Sequence, residues 1–200
     1  MNKCLVALLM IGSLLAVGCS NKQTLDEIKA EVNATGTLTD AQAESLSQVT
    51  WLRLYGLTSI ADAQAESLNK VDSLFLNGLT TITDAQADSL SKVGHLTLHG
   101  LTSITDAQAE SLSKFSELRL NRLTTITDAQ AEIFSRLNSL RLNGLTTIAD
   151  GQVESLSKVD SLFLSGLTTI TDVQAESPSK AEFRHISEHL QPLIDKFRNE

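Results

Sequence analysis

Val71-Asp72-Ser73-Leu74-Phe75-Leu76-Asn77-Gly78-Leu79-Thr80-Thr81-Ile82-Thr83-Asp84-Ala85-Gln86-Ala87-Asp88-Ser89-Leu90-Ser91-Lys92 is one unit of a text that recurs along most of this 200-residue chain. Its Asp84 belongs to a column, Asp40, Asp62, Asp84, Asp106, Asp128, Asp150 and Asp172, spaced 22 residues apart. A fixed period of roughly 20 to 29 residues predicts a solenoid, in which each unit buries its apolar face only against its neighbours. The repeats also align the chain with itself. Positions held constant carry the scaffold, and positions that vary are free of that duty.

Each unit has two halves. In Leu52-Arg53-Leu54-Tyr55 apolar and variable residues alternate, which is the mark of a strand with one buried face. Equivalent strands begin at Leu74, Leu96, Leu118, Leu140 and Leu162. The other half, Thr83 to Lys92, predicts a short helix with Thr83 and Gln86 as a capping box. Ala61 and Ala149 replace that Thr while Asp62 and Asp150 remain, so Asp is expected to be the dependable cap. The Asp column could also be read as a calcium ladder, but no oxygen-rich loop follows it. Glu66 and Lys70, Glu110 and Lys114, Glu132 and Arg136, Glu154 and Lys158, and Glu176 and Lys180 are expected as i,i+4 pairs, each contributing about 0.2–0.5 kcal/mol. Val49, Leu52, Leu54, Leu57, Ile60 and Leu68 are the expected core of one unit, with Phe115 and Phe134 in core positions elsewhere. Gly56, Gly78, Gly100, Gly144 and Gly166 read as turn residues, and Arg122 in the same slot implies that the turn does not strictly demand glycine.

The pattern L-x-x-L-x-L-x-G-L-x-x-I-T-D over residues 38–178 resembles a leucine-rich repeat, nearest the subclass written L-x-L-x-x-C-x-x-I-T-D-x-G-L-x-x-L. The resemblance implies an α/β solenoid with a parallel sheet on the concave face and short helices on the convex face. Leu57, Leu79, Leu101, Leu123, Leu145 and Leu167 stand where that family places Asn or Cys, so its hydrogen-bonding ladder is expected to be missing. The short unit leaves room for about two helical turns. Helical caps are expected at both ends: residues 24–37, with Leu25, Ile28 and Val32 at helical spacing, and residues 179–200. In the latter Phe183, Ile186, Leu190, Leu193, Ile194 and Phe197 form an apolar stripe, kinked near Pro192.

Residues 1–18 read as a signal peptide: Lys3, then an apolar run from Leu5 to Leu15 that is too short to span a bilayer, which needs roughly 20 residues. Ala16-Val17-Gly18-Cys19 resembles the lipobox of bacterial lipoproteins, which implies a lipid on Cys19 and a short tether through residue 23. Ala16-x-Gly18 also suits ordinary signal peptidase. As a whole the chain resembles leucine-rich-repeat lipoproteins of bacteria, which implies a place in the cell envelope. In a cell with two membranes, Ser20 matches the outer-membrane sorting pattern, facing the periplasm or the surface. Cys4 leaves with the signal, so no thiol remains for a disulfide, a metal or a nucleophile. Without Lys3 there are 15 basic residues against 24 acidic ones, a net charge of −9 that argues against nucleic acid as a partner.

Variation concentrates on the outward strand positions: Trp51, Arg53 and Tyr55; Ser73, Phe75 and Asn77; His95, Thr97 and His99; Glu117, Arg119 and Asn121; Ser139, Arg141 and Asn143; Ser161, Phe163 and Ser165. Alternate residues of a strand share one face, so these 18 tile the open side of the sheet, a surface roughly 25 Å across. That approaches a standard protein interface of about 800 Å² a side. Drift among duplicated repeats would vary the helix surface as much and would favour small polar residues. The face instead concentrates Trp, Tyr, Phe and Arg, types that dominate binding hot spots. Trp51, Arg53, Tyr55, Phe75, Asn77, His95, Thr97, His99, Glu117, Arg119, Asn121, Arg141, Asn143 and Phe163 are therefore the candidate binding residues.

Catalysis has little support. His95 and His99 lie about 13 Å apart on a strand, too far to share a metal, and both read as solvated. His185 and His189 could pair on a helix, but the H-E-x-x-H pattern is absent. Glu117 and His95 could form an acid/base pair, with no nucleophile or closed pocket beside them. No cofactor is expected. The reading is a non-catalytic module that binds an envelope or extracellular protein, or a glycan, through the strand face. A spacer lipoprotein without a specific ligand is the alternative.

Overall fold

The computed structural model describes residues 23–172, 182–186 and 190. The expectations for the signal peptide, for Cys19 and for the Glu176–Lys180 pair lie outside these residues. A helix, α1 (Leu25–Thr35), opens the fold; six helices of seven residues then alternate with short strands. The helices are α2 (Asp40–Leu46), α3 (Asp62–Leu68), α4 (Asp84–Leu90), α5 (Asp106–Leu112), α6 (Asp128–Phe134) and α7 (Asp150–Leu156). The strands are β1 (Trp51–Arg53), β2 (Ser73–Phe75), β3 (His95–Thr97), β4 (Glu117–Arg119), β5 (Ser139–Arg141) and β6 (Ser161–Leu164), each parallel to the strands it pairs with. Leu52, Leu54, Leu57 and Leu68 and their equivalents are buried in one continuous core, as are Ile60 and Phe134, while Val49, Phe115 and three equivalents of Ile60 (Ile104, Ile126 and Ile170) pack against it only partly buried. At the N-terminal end Ile28 and Val32 of α1 close the core, while Leu25 stays exposed. Gly36 ends that helix at φ 73°, a left-handed conformation that glycine adopts without strain.

Neighbouring units are tied by side chains that the repeat holds constant. In α3 to α7 the Gln at the third position (Gln64, Gln86, Gln108, Gln130, Gln152) accepts the N–H of its own N-cap at 3.0–3.1 Å. The amide nitrogen of the same Gln donates at 2.8–3.0 Å to a carbonyl of the preceding unit: Leu38, Ile60, Ile82, Ile104 or Ile126. This Gln column bonds consecutive units where the family's Asn or Cys is replaced by Leu. Leu57 and its equivalents are buried and carry no ladder, as expected, and a ladder that the sequence reading did not foresee is carried by the Gln column.

Asp is not the cap either. Thr39, Thr83, Thr105 and Thr127 are N-caps with hydroxyl oxygens accepting from the Gln N–H, and each following Asp is the first helical residue. The Asp carboxylates instead accept from the next unit, as Asp84 does from Thr105 Oγ1 (2.7 Å) and Gln108 Nε2 (2.9 Å). The Glu/Lys columns also connect across units. Lys70 reaches Glu44, Lys114 reaches Asp88, Arg136 reaches Glu110 and Lys158 reaches Glu132; among the described residues only Lys92–Asp88 is an i,i+4 pair. Stacking brings the neighbouring unit's carboxylate within reach of each long side chain, so the vertical pairing replaces the expected one.

The sheet has a seam. Strand order is β1-β2-β3 in one part and β4-β5-β6 with a further strand, β7 (Glu182–Ile186), in the other; β3 and β4 do not pair. Leu54, Leu76, Leu120 and Leu142 each donate to the next strand (to Phe75, Thr97, Arg141 and Phe163, at 2.9–3.0 Å), and Leu98 makes no such bond to Arg119. Two departures from the repeat coincide with this place. A Cβ on Gly78 would lie 2.5 Å from the carbonyl oxygens of Tyr55 and Leu57 of the preceding unit. In the unit that follows the seam Arg122 fills this slot, bringing a Cβ that the glycines of the other units lack. Phe115, larger than the Val of most other units, enters the same junction. The turn itself forms with Arg122 as it does with glycine, Leu123 donating to the Leu120 carbonyl (3.2 Å), in line with the sequence expectation.

β7 is the second departure at the C-terminal end, because residues 179–200 were expected as a capping helix. Its pairing with β6 aligns Phe183 with Leu162 and Ile186 with Leu164, with a bulge between Leu162 and Phe163. An open strand edge offers a row of unpaired N–H and C=O groups, and a following segment of β-prone residues satisfies them better as a strand than as a helix. Phe183 and Ile186 at a spacing of three suggest a helix, and they register with Leu162 and Leu164 only through that bulge, which periodicity does not signal.

Candidate binding face

β1 and β2 hold Trp51, Arg53 and Phe75 upward on one side because their alternate residues, Leu52 and Leu74, are locked in the core. The result is a joined cluster. The Phe75 ring lies edge-on to Trp51 (centroids 5.2 Å apart) and to Tyr55 (6.4 Å), with His95 tilted against it at 5.5 Å. The Arg53 guanidinium stacks 3.6 Å from the Trp51 ring centroid. Trp51 and Tyr55 nevertheless remain 44% and 46% exposed, unusual for side chains of that size. Aromatic contacts of this geometry favour one arrangement of the cluster before any ligand arrives.

Other predicted residues stand differently. Thr97 is only 6% exposed and Phe163 only 9%, the latter beneath the Arg141 guanidinium at 3.7 Å, so neither presents the open surface expected of it. Cross-strand packing covers them. Asn77 and Asn143 turn partly inward: their Oδ1 atoms accept the backbone N–H of His99 (3.4 Å) and Ser165 (3.2 Å) in the next unit. Asn33 at the end of α1 does the same for Gly56 (2.8 Å), a role the sequence analysis missed although Asn33, Asn77, Asn121 and Asn143 share the 22-residue frame. Asn121 breaks the series; its Oδ1 is buried without a partner, as are Thr97 Oγ1 and His99 Nε2, all three beside the seam. His99 is half-buried rather than solvated, and burial, together with the charges of Arg119 and Arg141, pushes its pKa below the ordinary histidine value.

The seam opens a cleft of about 560 Å³, and His95 and Glu117 line it with Ser91, Lys114, Phe115 and Ser116. Lys114 there is occupied by Asp88 (3.1 Å) and Ser91 (3.2 Å). Among the described residues no group of three His, Cys, Asp or Glu is placed to hold a metal ion, and no helix is long and apolar enough to cross a membrane.

No family model and no curated protein matches the sequence. The structure is similar to an internalin from Listeria monocytogenes, with a TM-score of 0.50 at 19% identity. The fold is a leucine-rich-repeat solenoid. The match covers 81% of this chain and 54% of the internalin, so the chain spans about half the length of that protein. At this identity the likeness speaks for the repeat architecture alone.

Proposed function

We propose that this chain is a non-catalytic binding module, anchored in the cell envelope by a lipid on Cys19, that holds a protein partner on its strand face. The exposed Trp51–Arg53–Tyr55–Phe75 cluster is the observation that carries this reading. Large aromatic side chains kept in water leave apolar surface hydrated and add nothing to the core, whereas at a protein contact aromatic and Arg side chains are the types that contribute most. The helix face offers no counterpart: its acidic and basic columns bridge units, as Lys114 does to Asp88, Arg136 to Glu110 and Lys158 to Glu132.

Residues 21–200, shown by circular dichroism to be folded, would be used as bait in envelope extract beside a Trp51→Ala/Arg53→Ala/Tyr55→Ala/Phe75→Ala variant, and both would be applied to a glycan array. A protein retained by the native bait and lost by the variant supports the reading. A glycan in its place would change the partner class. Equal retention by both baits, or background retention by each, overturns the reading in favour of a spacer.

A further inference from the structure

The charges of this protein are segregated by side. The chain carries a net charge of −8, yet Glu117 is the only acid among the 18 outward strand positions, which also hold Arg53, Arg119 and Arg141. The acids are concentrated in the helical layer, where the Asp column bonds to the next unit and Glu44, Asp88, Glu110 and Glu132 meet Lys or Arg. Among the described residues none of the three face arginines has a carboxylate within ion-pair distance. Arg119 and Arg141 are moreover register partners on β4 and β5, adjacent strands separated by about 4.8 Å. Like charges set opposite each other repel, and a planar guanidinium is shaped for two-point contact with a carboxylate. The depressed pKa of His99, to which both arginines contribute after burial, reports the same local positive potential.

Resting on the reading of this face as a protein-binding surface, we propose that its partner presents an acidic segment, with side-chain carboxylates on Arg53, Arg119 and Arg141 and an apolar side chain against Trp51, Tyr55 and Phe75. One carboxylate can bridge the Arg119 and Arg141 forks, and a second meets Arg53 three strands away. A nucleic acid also offers anions and stacking rings, but its unbroken run of phosphates sets more anions on the face than its three arginines can pair, some of them beside Glu117. A segment with two or three carboxylates feels mainly the nearby arginines, because charges more than about 8–10 Å away are screened at ordinary salt.

The test selects a random peptide display library on the full chain purified in mild detergent, in parallel with an Arg53→Glu/Arg119→Glu/Arg141→Glu variant and a Trp51→Ala/Phe75→Ala variant. The expected outcome is enrichment of Asp and Glu in the native selection and of Lys and Arg in the charge-reversed one. A selected acidic peptide should bind the native chain at least about tenfold more tightly than its Gln counterpart, and less so as salt rises. Peptides without acidic bias that the Trp51→Ala/Phe75→Ala variant still loses would overturn the acidic partner and leave the binding face standing. Peptides indifferent to both variants, or no enrichment, would overturn the proposal, with the extract experiment deciding the face separately. Binding of a labelled oligothymidylate in preference to the acidic peptides, or salt-sensitive self-association in sedimentation, would overturn it in favour of nucleic acid or of the chain's own acidic helix side.

Discussion

Gln108 makes three bonds at once: Oε1 accepts the Thr105 N–H (3.1 Å), and Nε2 donates to the Ile82 carbonyl (2.9 Å) and to Asp84 Oδ1 (2.9 Å). Replacing it with Leu strands a buried carbonyl and an N-cap N–H, so Gln108→Leu should cost about 1–3 kcal/mol in urea unfolding. A loss no larger than that of an exposed substitution would show that water satisfies these groups. The repeated Gln was visible in the sequence as half of a capping box; its second duty, to a unit 26 residues back, was not, because only stacking brings Ile82 there. His99 shows the same limit from the other side: read as an outward, solvated strand position, it lies in the turn after β3 and is half-buried. With its folded pKa below the unfolded one, the unfolded chain binds more protons in the window below about pH 6.5, so stability there rises with pH and falls on acidification. NMR titration should give His99 a midpoint below that of a free histidine, moving upward in Arg119→Ala. A midpoint at or above the ordinary value would contradict both the burial and the charge.

Each of the helices α2 to α7 is seven residues long, too short to persist alone, and depends on caps and on its neighbours. The N-caps of α3 and α7 are Ala61 and Ala149, which have no side-chain oxygen to accept the Gln N–H that Thr accepts elsewhere. Ala149→Thr should therefore stabilise the protein by about 0.5–1 kcal/mol, seen as a higher urea midpoint at unchanged slope. No gain would mean that the Gln152 side chain already holds the turn through its bond to the Ala149 N–H (3.0 Å). Helix and strand positions were legible because an amphipathic period needs only nearby residues. The final element was not legible, since β7 is specified by the open edge of β6, a feature that exists only once the stack has formed.

Across the whole molecule the helical side is continuous while the sheet side parts between β3 and β4. Thr127 still reaches Asp106 (3.0 Å) and Arg136 still reaches Glu110 (3.4 Å) over the same junction. Arg122→Gly should close the seam and let Leu98 donate to Arg119, adding roughly 0.5–1.5 kcal/mol for the bond gained and slowing hydrogen exchange at the Leu98 amide. Unchanged exchange at Leu98 would clear Arg122 and leave Phe115 as the cause. Closing the seam would also bring the two halves of the strand face into one surface, so partner affinity should change with it.

The period of the chain, its division into strand and helix halves and the identity of its core follow from the sequence alone, because each depends on spacing that a single unit already displays. The outward positions of the face follow from the same alternation. Which of them stay open to solvent was decided by the tertiary structure: Trp51 and Tyr55 remain exposed, while Thr97 and Phe163 are covered by neighbours 22 residues away. The Gln and Asp bonds between units, the seam and the β6–β7 pairing belong to the same class. They arise from contacts between units, and their geometry is set by how closely one backbone can approach the next.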